Sequence, residues 1–148
     1  MNLNKFTEKA QEAVIAAQHI ATELTHAEVV PEHLLVALVE QPGGIVPSVL
    51  RKIALDPARM AAEARRLLDS LPKAYGADLR FSPRMKFVFD SALVEAERLQ
   101  DEFISTEHLL LALASEAGRS PAAQLLQRSG ATKDTLYGAL TQVRGSQR

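Results

Sequence analysis

The sequence contains no cysteine and no excess of either charge. Without cysteine the chain can form neither a disulfide framework nor a cysteine-ligated zinc site, and it has no thiol nucleophile. Its 17 Lys and Arg residues balance 18 Asp and Glu residues, for a net charge of −1. A nucleic-acid-binding domain would show a basic stripe or patch. We therefore expect no nucleic-acid partner.

Long apolar runs and nucleotide-binding loops are also missing. No apolar run reaches the length of a membrane-spanning helix, and residues 1–5 lack the apolar core of a signal peptide. We therefore expect no membrane partner and a cytoplasmic location. No Gly-x-x-x-x-Gly-Lys-Ser/Thr phosphate loop occurs, so nucleotide chemistry is not expected within this chain. The 148 residues are 47% hydrophobic and 24% charged, as in one ordinary globular domain.

One short phrase occurs twice, 75 residues apart. Residues 31–38 read Pro-Glu-His-Leu-Leu-Val-Ala-Leu, and residues 106–113 read Thr-Glu-His-Leu-Leu-Leu-Ala-Leu. At the same offset Phe6 returns as Phe81. The period is long for a solenoid and there are only two copies. We interpret the pattern as a duplicated helical unit that forms two halves of one domain.

Helical periodicity and capping signals predict an all-α fold of eight helices, arranged as two four-helix repeats about a pseudo-twofold axis. The apolar stripe from Ala10 to Leu24 returns from Met85 to Leu99, shifted by 75 residues. Ser, Thr or Asp, in several places followed by Pro, precedes most of the helical segments. No segment alternates with a period of two, so no sheet is predicted. The single domain 1–148 divides into repeat one at 6–71, a linker at 72–80, repeat two at 81–144 and the start of a further linker at 145–148.

Several motifs taken together resemble the N-terminal domain of the Clp ATPases. They are Phe-Thr-Glu-Lys-Ala at 6–10, Glu-His-Leu-Leu in both repeats, Gly-Gly-Ile at 43–45 and Asp-Glu-Phe-Ile-Ser at 101–105. The resemblance covers nearly the whole chain. The first seven residues, Leu-Pro-Lys at 71–73 and Gln-Val-Arg-Gly at 142–145 are similar to the ClpB type. The resemblance implies a double Clp-N motif.

The resemblance also implies a function. A ClpB-type domain would engage unfolded or aggregated polypeptides for a stress-response chaperone that disaggregates and refolds denatured proteins. The parent would be a homohexamer held together by its ATPase rings, which bind ATP and Mg and cooperate with the DnaK chaperone system. The domain itself would have no cofactor and no enzymatic activity, so the chain would be one part of a longer protein.

Three alternatives differ from this interpretation. The chain could be an adaptor-docking domain of a ClpA- or ClpC-type unfoldase that works with a protease. The first copy, Val-Pro-Glu-His at 30–33, departs from the Gly-Thr-Glu-His form usual in ClpC. A free-standing helical enzyme is disfavoured because the sequence shows no catalytic constellation. A structural spacer would bind nothing.

Three polar residues are candidates for polypeptide binding. Thr7, Asp101 and Glu107 match family positions that are implicated in substrate handling. A pseudo-twofold arrangement would bring the first turn of helix one near the connector before helix six. Each residue also has a structural interpretation: Thr7 as a helix cap, Glu107 as a partner of a helix dipole, and Asp101 as a solvated loop charge.

Helix five carries apolar residues on a second face. Phe87 and Val94 lie opposite its main stripe, with Leu93 at the edge, whereas positions 12 and 19 of repeat one are Glu and His. An exposed apolar groove would be a binding site for unfolded chains. A helix that is apolar on two faces is more often buried, so burial is the favoured interpretation.

The repeated histidines and an acidic segment are interpreted as structural. His33 and His108 lack the spacing of helical zinc sites and have no nucleophile to activate, so both are expected to support helix starts. The acidic side chains between residues 95 and 102 are expected to form a solvated face that could steer basic segments. No catalytic, metal or cofactor site is predicted.

Overall fold

A computed structural model describes residues 3–116 and 119–146 of the chain. Eight α-helices account for most of these residues, which confirms the predicted fold class and helix order. The helices are α1 (Glu8–Glu23), α2 (Pro31–Glu40), α3 (Ile45–Lys52), α4 (Pro57–Leu68), α5 (Pro83–Arg98), α6 (Thr106–Ser115), α7 (Pro121–Arg128) and α8 (Lys133–Ser146). The predicted break at 117–118 and the last two residues of the predicted terminal linker lie outside the described residues.

Side-chain caps start four helices at the places that the sequence predicts. In each case a side-chain oxygen accepts a hydrogen bond from a backbone N–H of the first turn, which satisfies one of the unpaired donors there. The capping residues are Thr7, Asp56, Ser82 and Ser120. Such caps typically stabilise a helix by about 1 kcal/mol each, so the polar residues before the helices fix where they begin.

The two central helices, α2 and α6, form the middle of the core. Every residue of α2 from Pro31 to Val39 and every residue of α6 from Thr106 to Leu113 is buried. Helices that are apolar on all sides are buried by neighbouring helices. Here α2 packs against α1 and α4, α6 packs against α5, α7 and α8, and the two central helices contact each other.

No single helix in the described ranges is long and apolar enough to cross a membrane. Helices α2 and α3 pass that test only when taken together, and they are bent by 88° at the break between them.

The prediction that the chain has no sheet is wrong at one place. Strands β1 (Glu28–Val29) and β2 (Arg80–Phe81) pair in parallel, and a matching parallel bridge joins Phe6 to Ile104. The 75-residue offset relates these two pairings to each other. They are too short to show an alternating pattern, and they join segments that are distant in sequence. As a result, the segment leading into each repeat is tied to the connector of the other repeat.

Candidate functional site

The predicted polar residues lie at the junction between the two repeats. The backbone N–H of Thr7 donates a hydrogen bond to the carbonyl oxygen of Ile104, at 2.9 Å. This contact holds the first turn of α1 beside the connector between α5 and α6, as the sequence predicted. Asp101 lies in that connector, three residues after the end of α5, and Glu107 lies in the first turn of α6.

Arg144, in the last turn of α8, binds both carboxylates of this junction. Its Nη2 atom lies 2.6 Å from Oδ2 of Asp101 and 2.5 Å from Oε1 of Glu107. Burial alone would raise the pKa of Asp101, but hydrogen bonds from Arg144 and His108 lower it overall. The interpretation of Asp101 as a solvated loop charge is therefore wrong, because the side chain is held in an ion-pair network.

Thr7 and Glu107 have the structural roles that the sequence indicated. The hydroxyl of Thr7 accepts a hydrogen bond from the N–H of Ala10 at 3.1 Å, so Thr7 is the N-cap of α1. Glu107 is 8% exposed and stands in the first turn of its helix, where the dipole favours a negative charge. Its counterpart in repeat one, Glu32, instead accepts a hydrogen bond from Ala122 N–H at the start of α7, at 2.8 Å. A binding role for Thr7 and Glu107 stays a prediction.

The two repeated histidines also have structural roles, as predicted. Nδ1 of each ring accepts a hydrogen bond from the backbone N–H three residues earlier, at 2.9 Å for His33 and 2.8 Å for His108. Each ring therefore carries its proton on Nε2. His108 donates this proton to Oδ2 of Asp101 at 2.8 Å, and His33 donates to Nδ1 of His26 at 2.9 Å.

A set of potential metal ligands coincides with this network. One ligand atom from each of Asp101, Glu107 and His108 lies within 4.8 Å of the others. Both carboxylates, however, are bound by the guanidinium of Arg144, and Nε2 of His108 donates its proton to Asp101. The potential ligand atoms are thus already paired within the protein. The arrangement is that of an internal ion-pair network.

The second face of α5 is exposed, contrary to the favoured interpretation. Phe87 is 48% exposed, Leu93 42% and Val94 52%. The opposite stripe of the helix is buried and packs against α6, so α5 needs only one face for the core. Phe87 also lines an open cleft of about 520 Å³ at the starts of α2, α5 and α7, together with Arg84 and Arg119.

The interpretation of the acidic segment as a solvated face is wrong for Glu95. This residue is 2% exposed, and its carboxylate lies 2.5 Å from Nζ of Lys133. The hydroxyl of Tyr137 also donates a hydrogen bond to it. Burial raises the pKa of Glu95, but the hydrogen bonds from Lys133 and Tyr137 lower it overall. Glu95 therefore joins α5 to α8.

Two residues near the candidate site were missed in the sequence. Phe103 is 46% exposed in the connector between Asp101 and Glu107, and Arg144 binds both of those carboxylates. Comparison of the repeats could have identified Phe103, because the equivalent position in repeat one, at the 75-residue offset, is the charged residue Glu28. No local pattern identifies the partners of Arg144.

Comparisons with known proteins point to one family. The Clp repeat (R) N-terminal domain family matches residues 5–129. The ClpB chaperone protein of Corynebacterium glutamicum is 41% identical over 145 residues, which are 96% of this chain and 17% of that protein. The chain thus spans about 17% of the length of the curated ClpB relatives it matches.

Solved structures show the same fold. The N-terminal domain of Hsp104 from Candida albicans aligns with a TM-score of 0.80 and 21% identity, covering 97% of this chain and 94% of that one. A complex of a ClpV N-domain with a VipB peptide aligns with a TM-score of 0.72 and 21% identity, covering 91% and 89%. At 21% sequence identity, these two comparisons establish a shared fold only.

Proposed function

This chain belongs to the Clp repeat (R) N-terminal domain family, and we propose that it is the polypeptide-engaging domain of a ClpB-type chaperone. In this role it binds unfolded or aggregated polypeptides in the cytoplasm and passes them to ATPase modules outside this chain. Those modules would bind ATP and Mg, form the parent hexamer and work with the DnaK system. The similarity to ClpB chaperones over nearly the whole chain supports this proposal.

The observation that carries the proposal is the exposed apolar face of α5 formed by Phe87 and Val94, with Leu93 also exposed at the edge of the buried stripe. Exposed apolar patches on a folded domain mark interaction sites. In repeat one the positions equivalent to Phe87 and Val94 are Glu12 and His19, so the fold does not require apolar residues there. An open apolar face suits unfolded chains, which present apolar side chains in many different orders.

We assign the polar part of the proposed site to Thr7, Asp101 and Glu107. The backbone contact between Thr7 and Ile104 holds these elements together, and the exposed ring of Phe103 lies in the same connector. Two carboxylates and an exposed aromatic ring within residues 101–107 suit segments that carry both basic and apolar side chains.

The experiment is a titration of the chain with a disordered peptide rich in leucine and arginine, followed by amide NMR and fluorescence anisotropy. The double variant Phe87→Ser and Val94→Ser should bind at least about tenfold more weakly, because complete burial of even one large apolar side chain contributes roughly 1.5–3 kcal/mol. Ile15→Ser is the matched control, because Ile15 is 47% exposed on α1. If the double variant and Ile15→Ser lose affinity equally, or if the unmodified chain does not bind the peptide, the result would argue against the proposal.

Docking of one specific partner is the second candidate function. The ClpV N-domain, which has this fold, has been solved with a VipB peptide, so the fold can hold a defined peptide. An adaptor-docking domain would bind one folded partner with a fixed stoichiometry, and disordered peptides would not compete. Competition between disordered peptides of unrelated sequence at the α5 face would exclude this function.

A further inference from the structure

Arg144 connects the end of the last helix to the two carboxylates of the candidate site. Its Nη2 atom bridges Asp101, in the connector after α5, and Glu107, in α6, and its Nη1 atom lies 3.5 Å from Oδ1 of Asp101. Burial opposes the charge of Arg144, but hydrogen bonds to Glu107 and Asp101 raise its pKa above the ordinary value. The guanidinium therefore stays charged and takes up the negative charge of both carboxylates.

The duplication shows that the fold does not need an arginine at this position. In the second half of each repeat the offset is 76 residues, so the counterpart of Arg144 is Leu68, which is 1% exposed in the last turn of α4. Repeat one thus holds the end of its fourth helix by apolar burial. The counterpart of Asp101 is His26, so two members of the network differ between the repeats.

The ion pair is accessible enough to open. The side chains of Arg144 and Asp101 are each 29% exposed, and that of Glu107 is 10% exposed. Ion pairs reached by solvent contribute little net stability, because water and other ions compete with the partners. A competing cation can therefore replace Arg144 at Asp101 at small cost to the fold, while the nearly buried Glu107 needs that cation in place to stay paired.

We propose that Arg144 is an internal latch, which occupies Asp101 and Glu107 in the free domain and is displaced by a basic side chain of a bound polypeptide. The inference rests on the proposed function, since it concerns the same site. It adds that polypeptide segments with arginine or lysine next to apolar residues are preferred.

The test compares two variants, Arg144→Gln and Arg144→Leu, with the unmodified chain. The leucine variant carries the residue that repeat one has at the equivalent position. Two disordered peptides are used: one rich in leucine and arginine, and a copy with every arginine replaced by glutamine. Both variants should bind the arginine peptide about fivefold more tightly, on the scale of a part-exposed ion pair. Binding of the glutamine peptide should not change.

The matched control is Arg59→Gln, which removes the same charge from an exposed ion pair with Glu63 on α4. It should leave both affinities unchanged. Equal or weaker binding of the arginine peptide by the Arg144 variants would overturn the latch. If binding of the glutamine peptide still depends on Phe87 and Val94 in that case, the proposed function stands without it. If the unmodified chain binds neither peptide, both proposals fail.

A measurement on the unmodified chain covers the case in which the variants do not fold. The side-chain Nε–H resonance of Arg144 should shift when the arginine peptide is added and stay in place with the glutamine peptide. An Nε–H resonance that does not respond while the arginine peptide binds would overturn the latch.

Discussion

Both repeats contain a buried histidine that donates a hydrogen bond from Nε2, but the residue that accepts it differs between them. His33 and His108 both donate from Nε2, but the acceptor is the carboxylate of Asp101 in repeat two and Nδ1 of His26 in repeat one. An imidazole nitrogen accepts a hydrogen bond only while it is unprotonated. Burial, and secondarily the charge of His26, lowers the pKa of His33 to about 4. Burial and the charge of Lys73 lower the pKa of His26.

The lowered pKa of His33 predicts loss of stability in acid. The unfolded chain takes up this proton near pH 6.5, and the folded chain takes it up only near pH 4. Between these values the unfolded state binds more protons, so the free energy of unfolding falls as the pH drops through this window. This difference in pKa corresponds to roughly 3 kcal/mol of stability. All of it is present above pH 6.5, and it is lost as the pH falls through the folded-state pKa of about 4.

Urea unfolding between pH 7 and pH 4 tests this prediction. The variant His26→Asp is the comparison, because an aspartate at this position should accept the proton of His33 as Asp101 does for His108. Its stability should depend less on pH than that of the unmodified chain, and the difference isolates the histidine pair. An NMR titration midpoint near 6.5 for His33 in the unmodified chain would contradict the prediction.

Helix α5 has apolar side chains on two opposite faces, one buried and one exposed. Phe89, on the buried face, is 3% exposed, and its ring contacts those of Phe6 and Phe81 at centroid distances of 5.8 and 5.2 Å. Phe6 and Phe81 are counterparts in the duplication, so one ring packs against the leading segments of both repeats. Phe87, on the other face, lines the open cleft.

Alanine substitutions on α5 should reflect this division. Phe89→Ala should destabilise the chain by about 3–5 kcal/mol, because it removes a buried ring and leaves a cavity. Phe87→Ala, at a position that is 48% exposed, should cost less than about 1 kcal/mol. Denaturant unfolding measures both, with the unmodified chain as reference. Similar losses for the two variants would mean that the second face of α5 is part of the core.

At the scale of the whole molecule, each repeat completes the other. The carboxylate of Glu32 in repeat one accepts a hydrogen bond from the N–H of Ala122 in repeat two, at 2.8 Å. The two parallel pairings, β1 with β2 and Phe6 with Ile104, cross between the repeats. The central helices α2 and α6 also contact each other. The core is therefore shared, although the sequence is duplicated.

This shared core predicts that neither repeat folds alone. A cut after Gly76 lies in an exposed part of the linker, so the cut itself removes no buried contact. Fragments 1–76 and 77–148 should each show low helicity by circular dichroism, and mixing them should restore a cooperative unfolding transition. The whole chain is the control. Cooperative unfolding of either fragment by itself would contradict the prediction.

The sequence by itself determined the helices and their duplication. Caps such as Thr7 and Ser82 act on backbone groups within one turn, and apolar stripes repeat within a helix, so both can be read locally. The structural role of His33 and His108 was accessible for the same reason. Comparison of the repeats also separated Phe87 and Val94 from the shared stripe, although it did not show whether that face is covered.

Only the tertiary structure decided which of these surfaces is exposed and which charges meet. Arg144 lies 43 residues from Asp101 and 37 from Glu107 in the chain, and their ion pairs depend on how α8 packs against α6. The pairing of β1 with β2 likewise depends on the placement of one repeat against the other. Burial and ion pairing are properties of packed surfaces, and a local sequence pattern does not specify which surface packs against which.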